Sequence, residues 1–275
     1  HRHKLETLLP QALDDLGQRL GGPQAVLVHV KDHDAAALRL VHHGTRDPLR
    51  RKSRIGIARS DVVLDRDQPG LALAPGFIDM HSHGNVGLLE DLDAATVSRQ
   101  GVTTIVVGQD GESDFPLRDW FGKLNATPPA INVASMVGHA TLRQQAMGQD
   151  LYRPSTAQEL AQMKSLLANE LTAGAFGLST GLEYEAAHFS TTEEVVELSK
   201  VAAATGGFYI SHVRDEANRT FEAFDEVMRI GREARIPVQI THIKLGSTPV
   251  WHQAAARMPQ YFEQARREHI ELRAD

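Results

Sequence analysis

The chain has 275 residues, of which 41% are hydrophobic and 23% are charged, and its formal net charge at pH 7 is -6. This composition is typical of a globular protein and gives no basic footprint for nucleic acid. No apolar run reaches the roughly 18 residues of a membrane span. The chain has no cysteine, which excludes disulfides and thiolate ligands. We therefore expect no nucleic acid and no membrane as partners, and we leave the oligomeric state open.

The first 74 residues predict a flank that precedes the main domain. Leucines at helical spacing predict a helix over residues 5–20. Two apolar runs predict short strands, at 25–30 and 38–43. The N-terminus is too charged for a signal peptide, so we expect a cytoplasmic location, with the periplasm as the alternative. Because the sequence starts at His1 and not at Met, we expect upstream residues to be absent from it.

From residue 75 onward, short apolar runs alternate with amphipathic helical segments. The runs that predict strands are 76–80, 103–108, 131–138, 174–180, 207–211, 237–241 and 270–274. This alternation predicts an α/β fold with parallel strands joined by crossover helices. We accordingly divide the chain into a flank, 1–74, and a main domain, 75–275. A doubly wound sheet and a (β/α) barrel both fit the alternation.

The helical segments carry their own start signals. Ser155 with Gln158, and Ser190 with Glu193, each match the capping-box spacing at a helix N-terminus. Pro259 is expected to interrupt the last helix, because proline removes a helical hydrogen bond.

Polar side chains follow nearly every apolar run. They are His81, His83, Asp110, His139, Glu183, Glu185, His212, His242 and Lys244. The carboxyl ends of barrel strands meet on one rim, which is where (β/α) barrels place their active sites. A doubly wound sheet would instead spread these residues along an edge. Their shared position therefore favours the barrel.

The first strand ends in a histidine pair. His81 and His83 are two residues apart on an extended chain, so both imidazoles are expected on the same face. Neutral imidazoles suit zinc, and a carboxylate, Glu183 or Asp110, could bridge two ions. A single H-x-H is weak evidence, but His212 and His242 close later strands in the same register.

Five segments resemble the amidohydrolase superfamily and, within it, the N-acyl-D-amino-acid deacylases (D-aminoacylases). They are APGFIDMHSHG, GVTTIVVGQDG, GAFGLSTGLEYE, YISHVRDE and VQITHIKLG. The resemblance implies a metal-dependent TIM-like (β/α) barrel, incomplete at about seven of eight strands, with part of a small N-terminal β-sandwich in 1–74. It implies a hydrolase that acts on a small-molecule substrate, cleaving N-acyl-D-amino acids to a carboxylate and a free D-amino acid, with one or two Zn2+ ions.

The resemblance also implies roles for individual residues. The implied metal ligands are His81, His83, Glu183, His212 and His242. The implied substrate-binding residues are Tyr184, Lys244, Arg214 and His139. For Arg214 a pair with Asp215 or Glu216 is an alternative, and for His139 a structural role is equally expected.

Two departures from the family pattern bear on the site. Many D-aminoacylases have a bridging cysteine after the second strand, where this chain has Gln109 and Asp110. We therefore expect Glu183 to bridge, with Asp110 as the alternative. The family's general base is an aspartate after the eighth strand, so we expect it after Asp275 and expect no general base within the chain.

Two other functions stay open at this point. The first is a different amidohydrolase, dihydroorotase-like or isoaspartyl-dipeptidase-like. The second is a non-catalytic fragment that lacks the aspartate of the eighth strand.

Overall fold

The computed structural model describes residues 25–29 and 71–275. The predicted helix over 5–20 and the predicted strand at 38–43 lie outside these residues. The predicted strand at 25–30 is confirmed as β1.

The first two strands form an antiparallel pair. Strand β1 is Ala25–His29 and strand β2 is Leu71–Pro75. Their register places Ala25 opposite Pro75 and His29 opposite Leu71. The predicted boundary between 1–74 and 75–275 stays a prediction.

The rest of the described chain alternates strands and helices. The strands are β3 (Phe77–Asp79), β4 (Val102–Val107), β5 (Asn132–Ser135), β6 (Val137–Gly138), β7 (Gly177–Gly181), β8 (Phe208–His212), β9 (Val238–Ile240) and β10 (Leu272–Ala274). The helices are α1 (Ala95–Ser98), α2 (Leu117–Ala126), α3 (His139–Met147), α4 (Ala157–Ala173), α5 (Glu185–His188), α6 (Thr192–Ala204), α7 (Thr220–Ala234), α8 (Thr248–Trp251) and α9 (Ala254–Arg267). Each of the apolar runs contains a strand, and the run at 131–138 is divided at Met136.

The strands form parallel sheets, as the alternation predicts. One sheet has the order β3-β4-β5 and another the order β10-β9-β8-β7-β6. Strand β8 lies parallel to both of its neighbours, with His212 opposite Gly181 and Ser211 opposite Ile240. All five residues of β8 are buried, as expected for a parallel strand covered on both faces. In the described part of the chain these strands do not close into a barrel.

The chain divides into two units. Among the described residues, the smaller unit contains 25–29, 71–79, 90–105 and 129–132, and the larger contains 80–89, 106–128 and 133–275. The larger unit has a core cluster of buried apolar side chains from β4, from β8 and from the residue between β5 and β6, with partly buried side chains packed against it. These residues are Val106, Met136, Phe208, Ile210, Met80 and Ala134. Every side chain that follows β4, β7, β8 and β9 and is discussed below belongs to this unit.

Both predicted N-caps are displaced by one residue, and only the first of the two helices has a complete capping box. Helix α4 begins with Thr156 as its N-cap and Glu159 as its partner, in a complete capping box. Ser155 instead donates its hydroxyl to Glu194, at 2.6 Å. Each predicted serine is followed by a threonine that can cap equally well, so contacts outside the helix decide the register.

Helix α6 shows the same displacement. Thr191 is the N-cap, and its side chain accepts a hydrogen bond from the backbone N–H of Glu194. The predicted N-cap, Ser190, donates its hydroxyl to the carbonyl of Ala187, at 2.7 Å.

The prediction that Pro259 interrupts the last helix is wrong. Helix α9 runs through Pro259, and the interruption falls earlier, at His252 and Gln253 between α8 and α9. Proline removes one backbone donor, and the other residues of α9 maintain the helix. None of the helices in the described residues combines the length and hydropathy that a membrane crossing requires.

Candidate metal centre

The predicted histidine pair after the first strand of the parallel sheets converges on one point. The Nε2 atoms of His81 and His83 are 3.3 Å apart. They lie 3.3 Å and 3.2 Å, respectively, from Oδ2 of Asp110. The Nδ1 atom of His81 contacts the hydroxyl of Thr241. This contact turns Nε2 of His81 toward Asp110.

Asp110 reaches this position through a tight turn after β4. Its φ angle is +54°, and Gly111, which follows, has a φ angle of +84°. Aspartate is among the few residues with a side chain that adopt the left-handed region readily. Gly181 lies against this turn, and a Cβ atom there would be 2.2 Å from the carbonyl oxygen of Asp110. The close approach of the backbones therefore places the Asp110 carboxylate at the end of β7.

A second histidine pair faces the other oxygen of Asp110. His212 ends β8, and its Nδ1 atom is 3.0 Å from Nε2 of His242, which follows β9. Oδ1 of Asp110 is 3.5 Å from Nε2 of His242 and 4.0 Å from Nδ1 of His212. Each Asp110 oxygen thus faces one histidine pair.

The Asp110 carboxylate has the properties of a cation ligand. Burial raises its pKa, but the hydrogen bond and charge of His81, with the charges of His242 and His212, outweigh burial and lower the pKa to about 2. The group is therefore ionised at neutral pH. Its Oδ1 atom is buried and has no hydrogen-bond partner within the described residues. A buried anionic oxygen without a donor is costly, and a metal ion between Asp110 and the imidazoles would compensate it. The donor set fits such an ion.

Two possible metal-binding groups share Asp110. They are His81–His83–Asp110 and Asp110–His212–His242. The candidate ligand atoms in each group lie within 4.8 Å of one another. Parallel strand ends therefore bring together residues that are up to about 160 positions apart, as for His81 and Thr241.

Glu183 and Tyr184, after β7, approach a single histidine. Oε2 of Glu183 is 3.0 Å from Nε2 of His212, the ring nitrogen other than the one nearest Asp110. The Tyr184 hydroxyl is 3.0 Å from Nδ1 of the same ring. Burial, followed by the carboxylates of Asp110 and nearby glutamates, raises the Tyr184 pKa. The role of Glu183 as a bridge stays a prediction.

Glu216 is a site residue whose position sequence reasoning did not identify. Its Oε1 atom is 3.0 Å from Nδ1 of His242, and its Oε2 atom is 2.7 Å from Nζ of Lys244. The available signal was an acidic residue four positions after His212, at the end of HVRDE. The sequence does not show which elements that side chain contacts.

Arg214 has a different partner from the expected one. Its guanidinium pairs with Glu226, with two nitrogen–oxygen distances of 2.8 Å, and donates to the carbonyl of His188. Asp215 instead accepts hydrogen bonds from the backbone N–H groups of Ala217 and Arg219. The expected pair with Asp215 or Glu216 is therefore wrong, because each of those carboxylates has a nearer donor.

His139 is buried at the start of α3. Its Nε2 atom donates to Oε1 of Glu194, at 2.8 Å, and Arg143 donates to the same oxygen at 2.7 Å. Burial lowers the pKa of His139, and the hydrogen bond to Glu194 opposes that shift without reversing it. A substrate-binding role for His139 stays a prediction, and the structure shows the ring bound within this buried network.

Asp275 contacts the segment that follows β9. Its carboxylate accepts hydrogen bonds from the Thr241 hydroxyl, at 3.0 Å, and from the backbone N–H of His242. It thereby supports the backbone at His242, whose φ angle is +35°.

The chain resembles known hydrolases in sequence and in structure. It is 39% identical over 216 residues to a D-aminoacylase of Alcaligenes xylosoxydans xylosoxydans, a match that covers 70% of this chain and 44% of that protein. It matches a solved D-aminoacylase with a binuclear metal center at a TM-score of 0.67 and 34% identity, over 73% of this chain and 47% of the other. An N-acyl-D-glutamate deacylase from Bordetella bronchiseptica, complexed with zinc and a phosphonate inhibitor, matches at a TM-score of 0.70 and 34% identity, over 74% and 47%.

The chain spans about half the length of the relatives it matches. The similarity confirms the predicted α/β architecture of TIM-barrel type, although the described strands do not close a barrel. The model of the amidohydrolase family matches residues 67–274, and the chain belongs to the amidohydrolase family.

Proposed function

We propose that this chain carries the metal centre of a hydrolase that cleaves N-acyl-D-amino acids to a carboxylate and a free D-amino acid. The observation that carries the proposal is Asp110, whose two carboxylate oxygens face two separate histidine pairs while one oxygen is buried without a donor among the described residues. The substrate class is supported by the similarity to a D-aminoacylase and to an N-acyl-D-glutamate deacylase.

Zinc is the proposed ion, with one or two bound. Imidazole and carboxylate donors suit zinc, and one similar structure is complexed with it. His81 and His83 would hold one ion, and His212 and His242 the other. We propose Asp110 as the bridge in preference to Glu183, because Asp110 approaches both pairs, whereas Glu183 approaches only His212.

The ion would supply the activation of water and of the scissile carbonyl, since bound zinc lowers the pKa of water and polarises an adjacent carbonyl oxygen. The chain itself supplies orientation. Lys244 carries a half-exposed ammonium group suited to a substrate carboxylate. The Tyr184 hydroxyl lies against His212 and can donate a hydrogen bond to a substrate oxygen there. Arg214, paired with Glu226, would hold the segment after Tyr184 through its hydrogen bond to the His188 carbonyl. His139 would act on the same segment through Glu194, because Arg143 joins Glu194 to the Ala186 carbonyl.

The test combines metal analysis with a substrate panel. Elemental analysis and anomalous scattering at the zinc edge are expected to show one or two equivalents of zinc. His212→Ala and His242→Ala are expected to lose most of the bound zinc, whereas His252→Ala, on an exposed residue outside the centre, is expected to keep it. The panel contains N-acetyl-D-amino acids, a cyclic amide and a β-aspartyl dipeptide. Turnover confined to either of the last two would replace the proposed activity with another amidohydrolase activity.

A further inference from the structure

Glu216 contacts three side chains of the candidate centre from a buried position. Only 8% of its side chain is exposed. Its oxygens lie 3.0 Å from Nδ1 of His242, 3.6 Å from Nε2 of His212 and 2.7 Å from Nζ of Lys244. Among the carboxylates of the described residues, only Glu216 lies within ion-pair distance of both His242 and Lys244. A single carboxylate thus joins the histidine pair to the lysine.

The contacts fall on the ring nitrogens that face away from Asp110. The nitrogens nearest Oδ1 of Asp110 are Nε2 of His242 and Nδ1 of His212. Glu216 approaches the opposite nitrogen of each ring, at 3.0 Å for His242 and at 3.6 Å for His212. Glu183 is nearer to that nitrogen of His212, at 3.0 Å. Metal-binding histidines are commonly oriented in this way by a carboxylate on the second ring nitrogen, which fixes the ring and raises its basicity.

The backbone of Glu216 reinforces the same connection. Its carbonyl accepts a hydrogen bond from the backbone N–H of Gly246, at 2.5 Å. A Cβ atom on Gly246 would lie 3.0 Å from that carbonyl oxygen. The segment after β8 is therefore joined to the segment after β9, which carries His242 and Lys244, by both the backbone and the side chain of one residue.

We propose that Glu216 is a positioning residue that orients His242 and, together with Glu183, His212 for the metal ion, and that it holds the Lys244 ammonium group beside them. The part that concerns Lys244 rests on the proposed function. The part that concerns the histidines requires only that the chain binds a divalent cation. Because Glu216 carries a buried negative charge, a neutral side chain of equal size would keep the packing and lose both the orientation and the ion pair.

The first measurement is zinc affinity, by competition with a chromophoric chelator. Glu216→Gln is expected to weaken zinc binding by about 10- to 100-fold, the usual effect of losing such an outer carboxylate. Glu216→Asp, which keeps the charge, is expected to recover part of the affinity. Glu222→Gln, an exposed glutamate paired with Arg219, is expected to match the unaltered protein. Thermal unfolding of the metal-free proteins separates orientation from folding, because Glu216→Gln should then melt at the same temperature as the unaltered protein.

The second measurement is the split between KM and kcat on an N-acetyl-D-amino acid. Lys244→Met is expected to raise KM while keeping the zinc affinity. Glu216→Gln is expected to change both KM and the zinc affinity.

Four outcomes count against one or both proposals. Unchanged zinc affinity in Glu216→Gln overturns this inference and leaves the proposed function standing. The same conclusion follows if Glu216→Gln lowers both the zinc affinity and the melting temperature of the metal-free protein, and Glu216→Asp recovers neither. Zinc binding that depends on Glu216, without hydrolysis of any N-acetyl-D-amino acid by the protein that includes the expected general base, overturns the proposed function and the role at Lys244, and supports the role at the histidines. No zinc binding by the unaltered protein overturns both.

Discussion

Arg143 donates to both carboxylate oxygens of Glu194, at 2.7 Å and 2.9 Å, although both side chains are buried. His139 donates to Glu194 as well, and Ser155 donates through both its hydroxyl and its backbone N–H, so the carboxylate accepts five hydrogen bonds when both contacts of Arg143 are counted. The remaining N–H groups of Arg143 donate to backbone carbonyls, including that of Ala186 in the helix after Tyr184. The network therefore connects the core of the larger unit to the segment that carries Glu183 and Tyr184.

Removing the cation of this network should destabilise the fold. Arg143→Met is expected to lower the free energy of unfolding by about 3–5 kcal/mol, because it leaves the Glu194 charge buried without its partner. Urea unfolding followed by circular dichroism measures the effect. Arg229→Met removes a cation that pairs with Glu193 and Glu233 on the surface and should change stability little. Equal changes in the free energy of unfolding would show that the buried pair contributes no more to stability than the surface pairs.

The same network should make stability depend on pH in the acid range. Burial raises the Glu194 pKa, but hydrogen bonds from His139, Ser155 and Arg143 outweigh burial and lower it to about 2, from 4.5 in an exposed glutamate. The unfolded chain therefore binds this proton more readily than the folded chain between these two pH values. The stabilisation from Glu194 is present above pH 4.5 and is lost as the pH falls toward 2.

Glu194→Gln provides the measurement of that effect. The variant should be less stable than the unaltered protein at pH 7, and the difference should shrink between pH 4.5 and 2. Unfolding in urea at several pH values gives the two curves. Parallel curves over this range would contradict the lowered pKa.

Asp110 and Glu183 can be separated as bridging ligands by their effects on bound metal. Asp110→Asn is expected to weaken zinc binding to both groups, because each carboxylate oxygen faces a different histidine pair. Glu183→Gln should have a smaller effect, because Glu183 approaches only His212 among the four histidines. Equilibrium dialysis with elemental analysis gives affinity and stoichiometry for both. A larger loss in Glu183→Gln would restore Glu183 as the bridge.

Gly181 tests how closely β7 must approach the Asp110 turn. A Cβ atom at Gly181 would lie 2.2 Å from the Asp110 carbonyl oxygen and 2.5 Å from the Tyr184 ring. Gly181→Ala is therefore expected to displace both residues and to reduce zinc affinity. Gly122→Ala is the matched control, since a Cβ atom there meets nothing within 4 Å and lies within α2, where alanine is favoured by roughly 0.5–1 kcal/mol. Unchanged zinc affinity in Gly181→Ala would mean that the turn can move without cost to the centre.

The capping register of α4 is open to a direct stability test. Thr156→Ala should lower the free energy of unfolding by about 1 kcal/mol, because it removes the acceptor for the backbone N–H of Glu159. Thr172→Ala, an exposed position in the same helix, should leave stability nearly unchanged or raise it. Thermal unfolding of both variants measures the difference.

The sequence by itself determined the order of the elements and the strand ends that carry the histidines. Apolar runs that alternate with helical segments predict parallel strands, and the structure confirms this pairing from β6 to β10. Because parallel strands end at a common edge, the positions of His81, His212 and His242 in the sequence were enough to predict that they converge. Hydrophobic periodicity is a local property, so these features can be read without knowledge of distant contacts.

Only the tertiary structure decided which charged groups meet. Asp110 faces both histidine pairs because a left-handed turn directs it there, and that turn is accommodated by Gly181, 71 positions later. Glu194 contacts His139, 55 positions away in the sequence. The guanidinium of Arg214 pairs with Glu226 and not with an acidic neighbour in the sequence. An ion pair depends on distances between side chains from separate elements, and periodicity fixes a side chain's face without fixing its partner.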